Sequence, residues 1–580
     1  MRKGGYRWKE PAVVDEDQIS FISNKFDVSP VLAGILIRRG YSEPEEIRQF
    51  LHLDISSSND PFLMKDMDVA VERIVTAVEK GERVLIYGDY DVDGLTAAAL
   101  LVRVLGYLGL PVHHHIPNRL SDGYGVSSEG INRAKKLGVT LIITVDCGIA
   151  AHEEIKLANS LGLDVIITDH HEPGQKRPDA VAVLNPKQPD CPYPDNELAG
   201  IGVAFKLSQG VFRGLKKDET YLHGFLDLVA LGTIADVAPI IGENRLLVAK
   251  GLEVLQKAPS LAMAALLRTS GLMGKALTTS HIAFTLAPRI NAVGRMGDSQ
   301  NVVNFLTTDL PKEAAEMALV LEQENRKRQR IDSRVLIEAR EKLAGFDPEK
   351  DFAIVLASRS WHQGVLGIVA SRLVEQFYRP VVLITLDEDG VGKGSARSIQ
   401  TFHLYDSLTS CRDLLLEFGG HQYAAGIRIK EENIEKFRQE LNQKAKVSLT
   451  EPALVKELKI DADVTMDEVN IALYTDMQRL APNGPANPRP LFLMRGLTVD
   501  GYPRTVGEGH LKMKIKSGDQ SLDAIGFNLG EMAEDLSTNA GPVDMVFTLD
   551  KNTWQGVTGL QAKIKDLKIN SANKNSRGSI

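Results

Sequence analysis

The chain has 580 residues, which is enough for several domains of about 150 residues each. Its formal net charge is −8, so a nucleic-acid partner would have to be held by local basic patches and not by overall charge. It has only three cysteines and no CxxC pair, which argues against a disulfide framework or a zinc knuckle. The few cysteines, together with the lack of an apolar signal core and of a run of about 18 apolar residues, predict a soluble, cytoplasmic protein.

The first predicted elements are short helices in an N-terminal segment, residues 1–62. In residues 63–265, short apolar runs alternate with helical stretches, a pattern typical of a parallel sheet with helices on both faces. Ligands bind such sheets at the carboxyl ends of the strands. Connecting helices are predicted in 266–345, where residues 310–344 read as one long charged helix.

A second α/β domain is predicted in 346–448. Short strands separated by turn residues predict a small β-barrel in 449–572, and the polar residues 573–580 predict a disordered tail. The expected fold class is therefore α/β, with two α/β domains joined by a long helix and followed by a barrel.

Asp89, Asp91 and Asp93 alternate directly after an apolar run. An extended backbone would point all three carboxylates to one side, where their repulsion would raise their pKa values. A divalent cation removes this conflict, and oxygen ligands suit Mg²⁺ and Mn²⁺. Taken alone, the motif favours a metal site and a solvated acidic loop about equally.

Further polar residues follow the next predicted strands. Asp146 ends one strand, Asp169, His170 and His171 end another, and Asp236 lies at a predicted helix end. Imidazole beside carboxylates favours Mn²⁺ over a cage made only of oxygen. Two cations about 4 Å apart, bridged by one carboxylate, can hold a nucleophile and clamp phosphate oxygens. Asp146 is the candidate for the bridging carboxylate.

Several segments outside this cluster have two interpretations. "VGKGSARS" (391–398) contains Ser395 and Arg397, which suit a phosphate but also occur in an ordinary glycine-rich hairpin. His421 follows two glycines in a similar segment. "NRKRQR" (325–330) is either a solvated helix face or a phosphate contact.

The predicted barrel has its own candidate binding residues. Lys512, Lys514 and Lys516 alternate on one strand and would form a basic stripe able to hold single-stranded nucleic acid. Phe527 and Trp554 are both candidate stacking platforms, although core packing is the favoured interpretation of Phe527.

Taken together, these segments resemble the DHH phosphoesterase family, in particular its members that degrade single-stranded DNA. The motifs run in order over more than half of the chain. They are "GDYDVDG" (88–94), "PNRLSDGYG" (117–125), "TVDCGI" (144–149), "TDHHEPG" (168–174), "LAGIGVAF" (198–205), "LVALGTIADVAP" (228–239), "APRINAVGRM" (287–296), "WHQGVLGIVASRL" (361–373), "KGSARSIQ" (393–400) and "FGGHQYAAG" (418–426).

The resemblance implies ligands for two Mn²⁺ or Mg²⁺ ions. Asp93, Asp146, His170 and Asp236 match the ligands of one ion, and Asp91 and Asp146 match ligands of the other. Catalysis by these residues is an expectation from the family.

Three neighbouring residues complete the implied metal centre. Asp89 is expected close to the second ion, His171 is expected to contact the substrate or a ligand, and Asp169 is expected to orient an imidazole. Many smaller relatives carry a histidine four positions before Asp91, where this chain has Tyr87. This departure leaves the ligand set of the second ion open.

The resemblance also implies a pocket for a 5′-terminal phosphate. Its expected members are Ser395 and Arg397, helped by Arg119 and Arg295, with His421 nearby. The C-terminal barrel resembles an OB fold, a module that binds single strands.

The resemblance therefore implies a 5′→3′ exonuclease that degrades single-stranded DNA to 5′-mononucleotides in repair and recombination. A single-stranded-DNA-binding protein and a RecQ-type helicase are the expected protein partners, and a monomer is expected. Two alternatives stay open: a phosphodiesterase for short oligonucleotides or cyclic dinucleotides, and a non-catalytic DNA-binding scaffold.

Overall fold

A computed structural model describes residues 5–117, 125–296, 300–538, 541–554 and 556–570, with the backbone alone at 295, 296, 451, 452 and 554. The predicted disordered tail lies outside these residues. The chain divides into two compact units. One contains Leu53–Leu449 with Gly484–Asn487, and the other contains Met1–His52, Thr450–Asn483 and Pro488–Ile580.

The first domain of the larger unit is built on a parallel sheet. Its strands, in spatial order, are Val112–His115, Val84–Gly88, Leu141–Val145, Asp164–Thr168 and Ala182–Leu184. The central strands are wholly buried apolar runs, as expected when helices cover both faces. The chain order reverses between Val84–Gly88 and Leu141–Val145, so the cleft beyond these two strand ends is a natural ligand site.

Helices of this domain pack around the sheet, and the last of them continue into the connecting region. They are Met67–Lys80, Val92–Tyr107, Ser128–Lys136, His152–Ser160, Gly200–Gly214, Leu226–Ala235, Gly242–Lys257, Leu261–Thr269, Thr279–His281, Ala287–Met296 and Gln300–Thr307, with a π-helical turn at Ile282–Leu286 and 3₁₀ turns at Ile55–Ser57, Pro61–Leu63 and Glu219–Phe225.

The predicted long connecting helix is confirmed as Pro311–Lys342. It begins with proline at its first position, where the missing N–H leaves no hydrogen bond unmade. Ala314, Ala318 and Leu321 pack into the core of the first domain, and Val335 and Ala339 pack into the core of the second. The helix therefore joins two separate hydrophobic cores.

The second α/β domain has a mixed sheet. Its strands, in spatial order, are Leu415–Gly420, Ala424–Lys430, Val391–Arg397, Val381–Leu386 and Ile354–Ser358. Only the last two of these pair in parallel. Its helices are Leu366–Phe377, Leu404–Ser410 and Ile434–Ser448, with 3₁₀ turns at Gln363–Val365, Arg412–Leu414 and Glu431–Asn433.

The other unit contains the predicted barrel, which is confirmed. The strands Phe492–Val506, His510–Ser517, Gln520–Gly526, Val557–Ile569 and Val543–Trp554 pair in this order, and the first and last pair with each other to close the barrel. The strand Ala462–Asp463 adds to Phe492–Val506, Arg7–Lys9 pairs with Glu457–Lys459, and the remaining elements are Ile471–Gln478, Met532–Thr538 and a 3₁₀ turn at Glu451–Leu454.

The N-terminal helices Glu16–Phe26, Pro30–Arg38 and Pro44–Leu51 belong to the same unit as the barrel. Buried residues such as Leu32 share one hydrophobic core with Phe547 of the barrel. The two ends of the sequence therefore form one folded unit, which the sequence did not indicate.

None of the described helices has by itself the length and hydropathy of a membrane span. The pair Glu16–Phe26 and Pro30–Arg38 reaches these values only when the two are taken together across a bend of 113°.

Candidate active site

Asp89, Asp91 and Asp93 converge, but not through an extended backbone. The helix Val92–Tyr107 already begins after Asp91, whose side chain caps it by accepting hydrogen bonds from the backbone N–H of Asp93 at 2.9 Å and of Gly94 at 3.1 Å. The expected strand-like alternation is therefore wrong. Capping turns the chain at Asp91. Carboxylate oxygens of Asp89 and Asp91 still lie within 4.8 Å of each other and of a carboxylate oxygen of Asp146.

Asp93 is buried and lies against the start of another helix. Its carboxylate accepts hydrogen bonds from the backbone N–H of Gly200 at 2.7 Å and of Ile201 at 2.9 Å, the first residues of Gly200–Gly214. The positive end of the helix dipole favours a negative charge there. Burial and the neighbouring Asp91 nevertheless raise the pKa of Asp93 to about 7.

Asp146 follows the strand Leu141–Val145 with a left-handed backbone, φ 59°, which aspartate tolerates better than most residues. The close approach of Gly200 makes this placement possible. A Cβ atom on Gly200 would lie 2.8 Å from Cβ and 2.9 Å from Oδ1 of Asp146. Burial raises the pKa of Asp146 well above its ordinary value, and repulsion from Asp93 and Asp91 raises it further.

His170 faces the carboxylates. Its Nε2 atom lies 3.1 Å from Oδ1 of Asp146 and 3.8 Å from Oδ2 of both Asp93 and Asp236. Burial and the neighbouring His171 lower the pKa of His170 to about 4, so the ring is neutral, which is the form that binds metal ions. Within the described chain, the buried Nε2 of His170 and Oδ1 of Asp146 have no hydrogen-bond partner.

Asp169 holds the backbone and a histidine ring beside this cluster. Its carboxylate accepts hydrogen bonds from the backbone N–H groups of Ile149, His170 and His171, and its Oδ1 atom lies 2.7 Å from Nδ1 of His171. Although burial opposes it, the bond to Asp169 raises the pKa of His171 to about 9. His171 therefore brings a positive charge to the edge of the site.

The side chains form overlapping groups whose candidate ligand atoms lie within 4.8 Å of one another. The groups are Asp89–Asp91–Asp146, Asp93–His170–Asp236 and Asp146–His170–His171. Carboxylates with a neutral imidazole suit Mn²⁺ or Mg²⁺, and the buried atoms without partners are those that a cation would satisfy. The residues therefore fit a metal centre, with Asp146 and His170 each present in two of the three groups and Asp146 the only carboxylate so shared.

Tyr87 supports the neighbouring loop. Its hydroxyl accepts a hydrogen bond from the backbone N–H of Ser127 at 3.1 Å, and its ring packs against His115 with centroids 4.9 Å apart. A Cβ atom on Gly130 would lie 2.4 Å from the Tyr87 ring. Tyr87 thus fixes the start of the helix Ser128–Lys136. Asp89, and not Tyr87, has a candidate ligand atom close to those of Asp91 and Asp146.

Ser395 and Arg397 lie together in the second domain. Nη1 of Arg397 donates to Oγ of Ser395 at 3.1 Å, and a Cβ atom on Gly367 would lie 2.7 Å from Nη2 of Arg397. Both side chains therefore meet the first turn of the helix Leu366–Phe377. His421 lies in an exposed hairpin turn, at the sheet end where Ala424 pairs with Arg397.

Two further residues were expected in the phosphate pocket. Arg119 and the side chain of Arg295 lie outside the described residues.

In the barrel, Lys512, Lys514 and Lys516 alternate with buried residues and so lie on the outer face. Lys514 pairs across the sheet with Asp500 and Asp523, which reduce the positive charge of the stripe.

One aromatic residue of the barrel differs from expectation. Phe527 is 53% exposed and lies edge-on to His510, so its prediction as a core residue is wrong. It follows the end of the strand Gln520–Gly526, where a left-handed Asn528 turns the chain outward. The side chain of Trp554 lies outside the described residues.

Family models match three parts of the chain. They describe the N-terminal domain of the DHH family at residues 83–233, the DHHA1 domain at 350–447 and the RecJ OB domain at 460–566. Together with the fold, these matches define a DHH phosphoesterase with an appended OB barrel.

Comparison with whole proteins is more specific. The chain is 40% identical over 560 residues to the single-stranded-DNA-specific exonuclease RecJ of Bacillus subtilis, covering 96% of this chain and 70% of that protein. It is 34% identical to RecJ of Escherichia coli, covering 93% of this chain and 96% of that protein. The chain belongs to the RecJ family of single-stranded-DNA-specific exonucleases.

Solved structures agree with this placement. The crystal structure of Thermus thermophilus RecJ in complex with Mn²⁺ superposes with a TM-score of 0.83 at 31% identity, covering 98% of this chain and 80% of that chain. The same protein has also been solved with Mg²⁺, with a TM-score of 0.76 at 30% identity, covering 98% of this chain and 79% of that chain.

The residue missed by the sequence analysis is Gly200. Its motif, "LAGIGVAF", was only a mark of family resemblance, yet Gly200 contacts Asp146 and donates to Asp93. A glycine at the first helical turn gives no local signal of this role, because both aspartates are distant in sequence.

Proposed function

We propose that the chain is a Mn²⁺- or Mg²⁺-dependent exonuclease that degrades single-stranded DNA from its 5′ end and releases 5′-mononucleotides. The observation that carries this proposal is the position of Asp146, shared between two candidate ligand groups. One bridging carboxylate between two cations is the arrangement expected for phosphodiester hydrolysis.

The protein's side chains have distinct parts in the proposed reaction. Asp89, Asp91, Asp93, Asp146, His170 and Asp236 would hold two cations, which when bound activate water and neutralise charge on the phosphate. Asp169 would hold His171 in place through the contact of its Oδ1 atom with Nδ1 of His171 at 2.7 Å, and His171 is the proposed contact to the scissile phosphate. The N-terminus of Gly200–Gly214 keeps Asp93 in place.

The proposed test uses strands labelled at either end. With Mn²⁺, a 5′-phosphorylated single strand should release labelled mononucleotide at once from a 5′ label and only late from a 3′ label. Duplex DNA should resist cleavage. Faster hydrolysis of dinucleotides than of long strands would favour the phosphodiesterase alternative, and DNA binding without any cleavage would favour the scaffold.

Ser395 and Arg397, with Arg119 and Arg295, are proposed to bind the terminal 5′-phosphate, with assistance from His421. The adjacent side chains of Ser395 and Arg397 at a helix start support this assignment, since such a group suits a phosphate.

We expect Arg397→Met to lower kcat/KM for a 5′-phosphorylated strand by about 10- to 100-fold, the value of one charge-assisted hydrogen bond. The loss should be much smaller for a strand with a 5′-hydroxyl. Arg428→Met is the matched control, because Arg428 lies on the adjacent strand and pairs with Glu417 at 3.5 Å. Equal losses on both strands would contradict the terminal-phosphate assignment.

The barrel is proposed to bind single-stranded DNA. The triple variant Lys512→Ala, Lys514→Ala, Lys516→Ala should weaken binding of long strands and reduce the slope of log K against log salt by up to about 2. Fluorescence anisotropy at several salt concentrations measures this slope. Lys565→Ala, an exposed lysine on another barrel strand, should change it by less than 1. An unchanged slope in the triple variant would remove the stripe from DNA binding.

The remaining proposals rest on the family alone. They are a cytoplasmic monomer, a role in DNA repair and recombination, and cooperation with a single-stranded-DNA-binding protein and a RecQ-type helicase.

A further inference from the structure

The segment of residues 197–201 contacts three of the four expected ligands of one ion. Its backbone N–H groups donate to Asp93, and its glycine lies against Asp146. The backbone of Leu198 in the same segment hydrogen-bonds the ring of His170. Because these ligands come from different elements of the fold, a shift of this one segment would change the distances among all three.

The fourth expected ligand, Asp236, is followed by a strained backbone. Val237 has a left-handed conformation, φ 63°, which is unfavourable for a β-branched residue. It follows the end of the helix Leu226–Ala235, where its N–H donates to the carbonyl oxygen of Ile234 at 3.2 Å. Glycine is the usual residue at such a helix end. A strained conformation persists only where neighbouring groups hold it, so the segment 237–240 needs support from outside.

Asn244 joins these two segments. It is buried in the first turn of the helix Gly242–Lys257. Its Nδ2 atom donates to the carbonyl oxygen of Glu197 at 2.5 Å and to that of Pro239 at 3.1 Å, and its Oδ1 atom accepts from the N–H of Ala199 at 3.4 Å. One amide side chain therefore binds the backbone beside three ligands and the backbone that follows the fourth.

The neighbouring Glu243 shows that this arrangement is particular to Asn244. Glu243 is also buried in the same helical turn, but its carboxylate accepts hydrogen bonds from Nζ of Lys206 at 3.0 Å and from Oγ of Ser58 at 2.6 Å. The partners of Asn244 are instead backbone groups within three residues of an expected ligand or of a residue that contacts one.

We propose that Asn244 is a positioning residue of the metal centre, which fixes the segments 197–201 and 237–240 relative to each other and so sets the spacing of the four expected ligands. Outer hydrogen bonds of this kind orient metal ligands, and their loss typically costs about 10- to 100-fold in metal affinity. This inference rests on the metal centre of the proposed function.

The test is the affinity for Mn²⁺, measured by calorimetry on the metal-free, full-length protein. Asn244→Ala removes all three hydrogen bonds, and we expect its dissociation constant for Mn²⁺ to rise about 10- to 100-fold. Cleavage of single-stranded DNA should fall steeply at low Mn²⁺ and recover most of the loss at saturating Mn²⁺. The KM for DNA should not change, because Asn244 is buried and is not a proposed DNA contact.

Asn244→Asp provides a second variant that keeps the size of the side chain. It still offers an acceptor to the N–H of Ala199, but it lacks the amide that donates to the carbonyl oxygens of Glu197 and Pro239. Its affinity for Mn²⁺ should lie between those of the wild type and Asn244→Ala. If Asn244→Ala does not fold, wild-type affinity in Asn244→Asp would by itself refute the proposal.

Asn442→Ala is the matched control, because Asn442 also makes three hydrogen bonds to the backbone, in the second α/β domain. Its Oδ1 atom accepts from the N–H groups of Phe352 at 2.7 Å and Ala353 at 3.0 Å, and its Nδ2 atom donates to the carbonyl oxygen of Lys350 at 2.9 Å. This variant should unfold at a lower temperature and keep wild-type affinity for Mn²⁺. If Asn244→Ala behaves in the same way, or if both variants weaken Mn²⁺ binding equally, Asn244 has no positioning role.

Failure of the proposed function would give a different result. A wild type that binds Mn²⁺ but never cleaves DNA would refute the exonuclease, while weaker Mn²⁺ binding in Asn244→Ala would still support the positioning role. A wild type that cleaves DNA, with an Asn244→Ala variant of equal Mn²⁺ affinity, would refute the positioning role alone. A wild type that binds no Mn²⁺ would refute both.

Discussion

The Asp146→Asn variant is expected to lose at least about 1,000-fold in kcat/KM on single-stranded DNA. Asparagine keeps the size of the side chain, so Gly200 still accommodates it, but the neutral amide cannot bridge two cations. Loss of one shared ligand therefore weakens both candidate metal groups at once. Binding of single-stranded DNA in EDTA should stay within a few-fold of wild type, because Asp146 is not among the proposed DNA contacts.

Thermal unfolding gives a second measurement on the same variant. The wild type should be stabilised by Mn²⁺, because an ion that binds only the folded state shifts the unfolding equilibrium. The Asp146→Asn variant should show little of this shift. Cleavage at the wild-type rate, or an undiminished Mn²⁺ shift, would show that Asp146 is not a shared ligand.

Without metal, the wild type should be no more stable than the Asp146→Asn variant. Burial raises the pKa of Asp93 to about 7 and of Asp236 to about 8, and that of Asp146 also rises. A carboxyl with a raised folded-state pKa stabilises the fold at low pH and loses that contribution as pH rises through its folded pKa. Without metal, Asp146→Asn should therefore be at least as stable as wild type at pH 8.

Asp227→Asn is the matched control for replacing a buried aspartate. Asp227 lies in the same domain but accepts hydrogen bonds from the backbone N–H groups of Leu228 and Ser260, outside the metal groups. We expect this variant to unfold at a lower temperature while its folded fraction still cleaves DNA and responds to Mn²⁺.

The sequence predicts the composition of the candidate site better than its geometry. The rule that ligands gather at the carboxyl ends of parallel strands brings Asp146 and His170 together, and the structure places them 3.1 Å apart. The local sequence pattern predicts the wrong backbone conformation at Asp91, because this residue caps a helix instead of continuing the extended strand. It fails again at Phe527, where a turn, and not hydrophobicity, decides exposure.

The features that the sequence does not predict depend on contacts between residues that are distant in the chain. The N-terminal helices and the barrel are separated by more than 400 residues, and amphipathic patterns state only that each needs an apolar partner, not which one. Tyr87 was identified as a departure from the family, but its bond to Ser127 depends on a helix 40 residues further along. Such pairings need the assembled fold.

Gly200→Ala is expected to reduce kcat/KM by about 100-fold, the effect of displacing a reacting group by about 1 Å. The new methyl group would lie 2.8 Å from Cβ of Asp146, closer than two carbon atoms can approach. Either Asp146 moves or the helix start moves, and the helix start holds Asp93 through its N–H groups. Both displacements act on candidate metal ligands, so Mn²⁺ affinity measured by calorimetry should fall together with activity.

Gly202→Ala provides the control two residues along the same helix. The nearest neighbour of its new methyl group would be the side chain of Leu198 at 3.3 Å, which can shift by a few tenths of an ångström. Alanine also favours a helix over glycine by about 1 kcal/mol, so this variant should unfold at an equal or higher temperature and keep wild-type activity. If both variants behave alike, the effect comes from the helix and not from Asp146. If only Gly200→Ala loses Mn²⁺ affinity, the glycine serves the metal centre by leaving room for the carboxylate that its candidate ligand groups share.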